Sequence, residues 1–224
     1  MKKYDVYRGT IFTVTTATVF FIWGVLQPIL VNLTGIDQWI TLLLGSVVSL
    51  GTYQLSLKII ESLVLKVTVI KRWIFGSSYL DGVWVGAYIG IEDKPRYYIE
   101  YFEQDFNSLI IRSKCYSDDF KYKGKWTSTN VSINEDKGEL YYTYETTMEN
   151  NNHKNIGFAI FNIDRMSKGT CPIKLHGFSS DIYINKMIRS VEEKISKPKG
   201  LTEKELLDKA IEVYENNKDT LLKT

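Results

Sequence analysis

Few side chains in this 224-residue sequence are of the types that break bonds. Its two histidines are His153, in an Asn-rich turn, and His176, and its two cysteines are Cys115 and Cys171. No serine or cysteine stands in the frame of a nucleophile elbow, and there is no P-loop, no HExxH and no CxxC. Asp118 and Asp119 are adjacent, so their side chains diverge in a strand or turn, which suits a turn and not a paired acid and base. The cysteines are too few and too far apart for a disulfide framework or a zinc cluster, and two free thiols fit a reducing compartment. We therefore expect a binding protein, not an enzyme, with no metal and no cofactor.

The side chains suited to binding are rings. The sequence holds 15 Tyr, 10 Phe and 5 Trp, concentrated after residue 73. In strand register, Trp84 shares a face with Tyr88, Trp126 with Ser128 and Asn130, and Tyr142 with Tyr144 and Thr146. Arg112 and Lys114 share theirs with Ile110 and Tyr116, unusual company for a plain solvent face. An interior that mixes rings, hydroxyls and a few cations would suit a planar anionic ligand, with rings stacking on it and cations meeting phosphate. The candidate ligand residues are therefore Trp84, Tyr88, Arg112, Lys114, Trp126, Ser128, Tyr142 and Tyr144. The competing interpretation makes the rings core or rim and the cations solvated edge protection. Sequence alone does not fix which face of each strand is inside. With 28 basic against 26 acidic residues, no basic field marks a nucleic-acid polymer as partner.

These residues must be positioned by strands. The stretch 80–90, LDGVWVGAYIG, alternates Gly82, Trp84, Gly86, Tyr88 and Gly90 on one face with Val83, Val85, Ala87 and Ile89 on the other. Glycines alternating with large rings suit a curved strand, where a ring fills the space beside a missing side chain. Further short runs follow at 97–103, 108–116, 121–133, 139–148, 156–163 and 171–179, separated by polar clusters such as 92–95, 134–138 and 150–153. The run at 121–133 is long enough to contain a bend. With no helical crossover between them, the seven strands predict a small antiparallel, lipocalin-like barrel, and about eight strands enclose room for side chains or one small ligand.

Ahead of the strands, residues 9–31 and 38–57 are apolar runs of bilayer-spanning length, joined by a short link with no Lys or Arg. A cleaved signal peptide would have a shorter apolar run and a small-residue cleavage site. The basic residues Lys2, Lys3 and Arg8 before the pair, and Lys58, Lys66, Lys71 and Arg72 after it, place both termini in the cytoplasm. Residues 59–74 continue with helical spacing, and 76–78, Gly-Ser-Ser, mark a boundary. At the far end, Ile184, Ile188, Val191 and Ile195 keep helix-like spacing, although the start of that stretch could instead complete the barrel. Thr202 and Glu205 then form a capping box for a final helix. Three regions result: a helical membrane hairpin with juxtamembrane helix at 1–76, an antiparallel β-barrel sensing domain at 77–184, and a helical tail at 185–224.

The order of two spans, an L-x-G-x-W-x-G-x-Y strand carried by Leu80, Gly82, Trp84, Gly86 and Tyr88, and a run of short strands resembles a particular family. It is that of the two-transmembrane, β-strand-rich effectors associated with bacterial cGAS-like nucleotidyltransferases in CBASS anti-phage systems. The resemblance covers residues 1 to about 184, and the G-x-W element alone is also similar to that of lipocalins. It implies a barrel that binds a cyclic dinucleotide as activating ligand, made by a partner nucleotidyltransferase after infection. Binding would drive homo-oligomerisation, and the assembled helices would disrupt the lipid bilayer of the inner membrane, causing abortive infection. No ligand residue transfers from the family, because only the first-strand motif aligns. The alternative function is a membrane-tethered, lipocalin-like carrier of an apolar small molecule, which would require a wholly apolar interior. A membrane scaffold that only recruits partners would instead have a filled barrel.

Overall fold

The computed structural model describes residues 66–222, apart from 91, 106, 107, 150, 168, 169, 183–185 and 197, together with scattered positions between 9 and 62 that are all helical. The chain forms two units, Met1–Gly76 and Ser77–Thr224. The expected span at 38–57 lies largely, and that at 9–31 in part, outside the described residues, and among the described residues no helix is long and apolar enough to cross a membrane. In the first unit Phe12 and Tyr53 pack edge to face, with ring centroids 6.5 Å apart. Thr13 Oγ1 donates back to the Gly9 carbonyl at 2.8 Å, and Phe12, Phe20, Phe21, Val47 and Leu55 are exposed. Helix α1, Thr68–Phe75, ends at Gly76, whose φ of 51° is one that glycine adopts without strain.

The second unit is a closed barrel of eight antiparallel strands in sequential order. They are β1 Gly82–Ile89, β2 Pro95–Gln104, β3 Leu109–Tyr116, β4 Tyr122–Asn134, β5 Glu139–Met148, β6 Asn151–Arg165, β7 Pro172–Asp181 and β8 Met187–Lys194. Closure leaves no unpaired edge, since β1 pairs with both β2 and β8. The expected bend in the long fourth run is a bulge between Ser128 and Asn130. Asn151, placed in a turn by its composition, instead starts β6.

One boundary differs from the sequence expectation. The barrel does not stop at residue 184, because β8 supplies the eighth strand and reaches Lys194. Its 3–4 residue apolar spacing reflects burial on both faces: Glu192 points into the barrel, whereas Val191 packs outward under a helix. That helix, α2, Glu203–Leu222, starts with the anticipated capping box. Thr202 N donates to Glu205 Oε2 at 2.7 Å, and Glu205 N donates to Thr202 Oγ1 at 3.3 Å. It lays Leu206, Leu207, Ala210, Val213 and Tyr214 on Val85, Ala87, Tyr97 and Ile99, so β1 and β2 are apolar on both faces.

The barrel interior is divided along its length. At the end where the chain enters, Leu80, Trp84, Phe102, Leu140, Phe161 and Leu175 fill the lumen. Gln104 closes that end, accepting from Leu80 N at 2.8 Å and donating to the Ser78 carbonyl at 2.9 Å. Towards the opposite end the lumen is open.

Candidate ligand cavity

Open space occurs where the inward faces carry glycines beside rings. In β1, Gly86 lies across from Tyr98, and a Cβ on Gly86 would come within 2.5 Å of the Tyr98 ring. In β6, Gly157 makes the same room for Tyr144, which it faces across the β5–β6 pair. The rings can therefore lie along the wall instead of filling the lumen. The result is a cavity of about 240 Å³, with a wall that includes Tyr88, Tyr98, Trp126, Tyr142 and Tyr144. Trp126 is its hub: its ring centroid is 5.4 Å from that of Tyr98 and 6.4 Å from that of Tyr144. Tyr142 stacks on Phe161 at 6.0 Å, where the cavity meets the packed end.

Electrostatically the cavity is polarised. Around the mouth, where β2 and β4 start, stand Arg96, which pairs with Glu92 at 3.2 Å, Lys123 and the carboxylate of Glu149. Deeper in lie carboxyls. Glu100 and Glu192 are fully buried, and each raises the other's electrostatic cost. Trp126 Nε1 donates to Glu100 Oε1 at 2.8 Å, the Tyr142 hydroxyl reaches the same oxygen at 3.5 Å, and the Tyr98 hydroxyl donates to Glu192 Oε1 at 3.2 Å. Among the described residues no donor reaches the second oxygens, Glu100 Oε2 and Glu192 Oε2, which are themselves sealed from solvent. Burial pushes the Glu100 carboxyl up to about 7, offset in part by the bonds it accepts, and raises Glu192 further because Glu100 adds like charge. Asp181, which accepts from the Tyr144 hydroxyl at 2.8 Å, is also raised by burial. Tyr88 lies 3.3 Å from Cys115 Sγ, and burial raises both groups.

Of the eight residues singled out from sequence, Tyr88, Trp126, Tyr142 and Tyr144 meet on this cavity. Trp84 does point inward, but into the packed end: it is fully buried, its Nε1 donates to the Leu80 carbonyl at 2.8 Å, and its ring lies 5.4 Å from Phe102. Ser128 sits at the β4 bulge, where its hydroxyl accepts from Ile111 N at 2.9 Å. Arg112 and Lys114 are on the outer face of β3. Arg112 pairs with Glu103, and Lys114 with Glu203 of α2 at 2.6 Å. Their apolar companion Tyr116 is buried because α2 covers it from outside, so the mixed face is a helix-docking face and not the lumen. The interior cations expected there are instead Arg96 and Lys123 at the mouth. Sequence reasoning missed Glu100 and Glu192. Glu100 left a signal, a lone carboxylate alternating with Tyr98 and Phe102 on one strand face.

Fold and cavity define an eight-stranded antiparallel barrel, closed at one end by side chains and hollow at the other, with a helix docked on its outside. No protein-family model, curated protein or solved structure matches the chain.

Proposed function

We propose that the chain is a membrane-anchored anti-phage effector whose cytoplasmic barrel binds a cyclic dinucleotide, oligomerises and disrupts the inner membrane to kill the infected cell. The observation that carries this reading is the composition of the cavity, with a cluster of rings and hydrogen-bonding carboxyls within and Arg96 and Lys123, beside Glu149, at the mouth. A base stacks on the rings while its phosphates, repelled by the acids inside, stay with the cations. At about 240 Å³ the cavity lies just below the roughly 300–1,000 Å³ of sites that enclose drug-sized ligands. It therefore takes one base and leaves the rest of the ligand at the mouth.

In the first unit, the Phe12–Tyr53 contact supports an antiparallel hairpin of the segments 9–31 and 38–57, because it joins the part of each segment far from the 32–37 link. Exposed apolar residues such as Phe20, Phe21, Val47 and Leu55 are what a lipid-facing helix requires. A carrier of an apolar molecule is the weaker reading. It would leave the carboxyls of Glu192 and Asp181 against hydrocarbon with tyrosine hydroxyls as their donors, a cost that a wholly apolar lining would avoid.

The test is calorimetric titration of the full chain in lipid nanodiscs against a panel of cyclic dinucleotides. We expect saturable binding of at least one. Absence of binding across the panel, with displacement of a bound fluorescent fatty acid by other fatty acids, would overturn the receptor reading in favour of the carrier.

A further inference from the structure

The outside of the barrel is not uniform. Helix α2 covers β1, β2 and β8, and β3 and β4 turn Arg112, Lys114, Lys125, Thr127 and Thr129 to solvent, as a barrel wall in water requires. On β6 the pattern reverses. Ile156, Phe158 and Ile160 alternate on its outer face and are 47%, 41% and 36% exposed, while Gly157, Ala159 and Phe161 face the lumen. Register carries this stripe onto the neighbouring strands. Ile160 pairs with Tyr141 of β5 and with Phe178 of β7, and Phe178 pairs in turn with Arg189 of β8, whose guanidinium lies 5.1 Å from its ring centroid. At the other end of the stripe Ile182 N donates to the Ile156 carbonyl, and Ile182 and Met187 are exposed. The result is one contiguous apolar face, of the kind that marks an interaction surface.

The edges of the face indicate what covers it. Its β5 edge carries Glu145, which pairs in register with Ile156, and its β8 edge carries Lys186 and Arg189. An acid edge and a basic edge on either side of an apolar strip make the face complementary to itself. Resting on the reading of the chain as an effector that assembles, we propose that a second copy of the chain packs its own β6–β7 face here, about a two-fold axis along the seam between β6 and β7. The axis lays β6 of each copy on β7 of the other and sets β5 across from β8. Ile160 then meets Phe178, Ile156 meets Ile182, Tyr141 meets Arg189 and Glu145 meets Lys186. Barrel walls are convex, so the two copies touch along the seam, and the long side chains at the edges bridge the gap that curvature opens. Within its own copy Glu145 accepts from Lys154 at 2.9 Å and Arg189 donates to the Thr220 carbonyl at 3.4 Å, contacts at a surface where either side chain can turn to a new partner. A bilayer surface is the poorer occupant, since anionic headgroups offer Glu145 no counterpart.

Energy transfer between two differently labelled pools of the full chain, reconstituted together in vesicles with and without each cyclic dinucleotide of the panel, tests this. We expect transfer in the wild type and a loss of association of about tenfold or more in Phe158→Lys, which sets an unpaired charge inside the face. The position is exposed, so the barrel's melt should not change. Glu145→Lys and Lys186→Glu should each weaken association by about threefold. An equimolar mixture of those two variants should restore it, because in the mixed pair each lysine again meets a glutamate. Neither a lipid nor another segment of the same chain can produce that rescue. Undiminished association of Phe158→Lys, weakened variants with no rescue on mixing, or no transfer in the wild type would each overturn the two-fold face. If a cyclic dinucleotide binds in those cases, the receptor reading stands. Failure of every cyclic dinucleotide to bind while the mixing rescue holds would overturn the receptor reading and leave the face in place.

Discussion

Removing the Trp126 ring takes away the platform between Tyr98 and Tyr144. Base stacking on an aromatic is worth about 1–3 kcal/mol, so Trp126→Ala should weaken ligand binding at least fivefold in the same titration. Arg112→Ala should change it less than twofold, because Arg112 pairs with Glu103 on the outer surface. The buried acids make a separate prediction on stability. A carboxyl whose pKa is raised by folding binds more protons folded than unfolded, so its stabilisation is complete below the unfolded value and is lost as pH rises through the folded one. For Glu100, raised from 4.5 to about 7, the loss between pH 4.5 and 7.5 is on the order of 3 kcal/mol. The barrel's melting temperature should therefore fall over that range, and Glu100→Gln should flatten the fall. A flat wild-type profile would contradict the raised Glu100 carboxyl. Period-two alternation made the rings legible in the sequence, as Tyr88, Trp126, Tyr142 and Tyr144 all reached the cavity. The acids were harder to see. Glu192 belongs to a stretch where Val191 is buried on the opposite face, which blurs the strand period into a helical one.

At the scale of elements, the glycine-rich strand β1 shows why spacing foretold curvature. Gly86 has the Tyr98 ring on one side and the Val191 carbonyl on the other, and an added Cβ would lie 2.5 and 2.6 Å from them. Gly86→Ala should cost about 1–3 kcal/mol, as overpacking does, and should displace Tyr98 from Glu192. A thermal melt and the loss of cyclic dinucleotide affinity would register the two effects, whereas an unchanged melt would show that the strand can yield. The strand runs were legible because polar turns punctuate them. Strand faces were not, and the reason is α2. By covering β1, β2 and β8 from outside it makes outward residues apolar, so Tyr116 lent Arg112 and Lys114 the look of lumen residues. A helix 20 residues long, separated in sequence from the strands it covers, leaves no local mark on them.

At the scale of the molecule, a helical segment that carries exposed apolar side chains precedes a hollow barrel in the chain. Ligand binding can drive assembly only if the assembled form binds the ligand more tightly than the free one does, so activation must saturate with cavity occupancy. The resemblance that motivates this mechanism rested on Leu80, four residues of β1 and the order of elements, of which the barrel is visible in the structure. The most direct measurement is dye release from sealed vesicles containing the reconstituted full chain, with and without the cyclic dinucleotide that binds best. Release is predicted only with ligand, following the binding curve, and should shift to higher concentration in Trp126→Ala. Release independent of ligand, or intact vesicles at saturating occupancy of the cavity, would contradict the account.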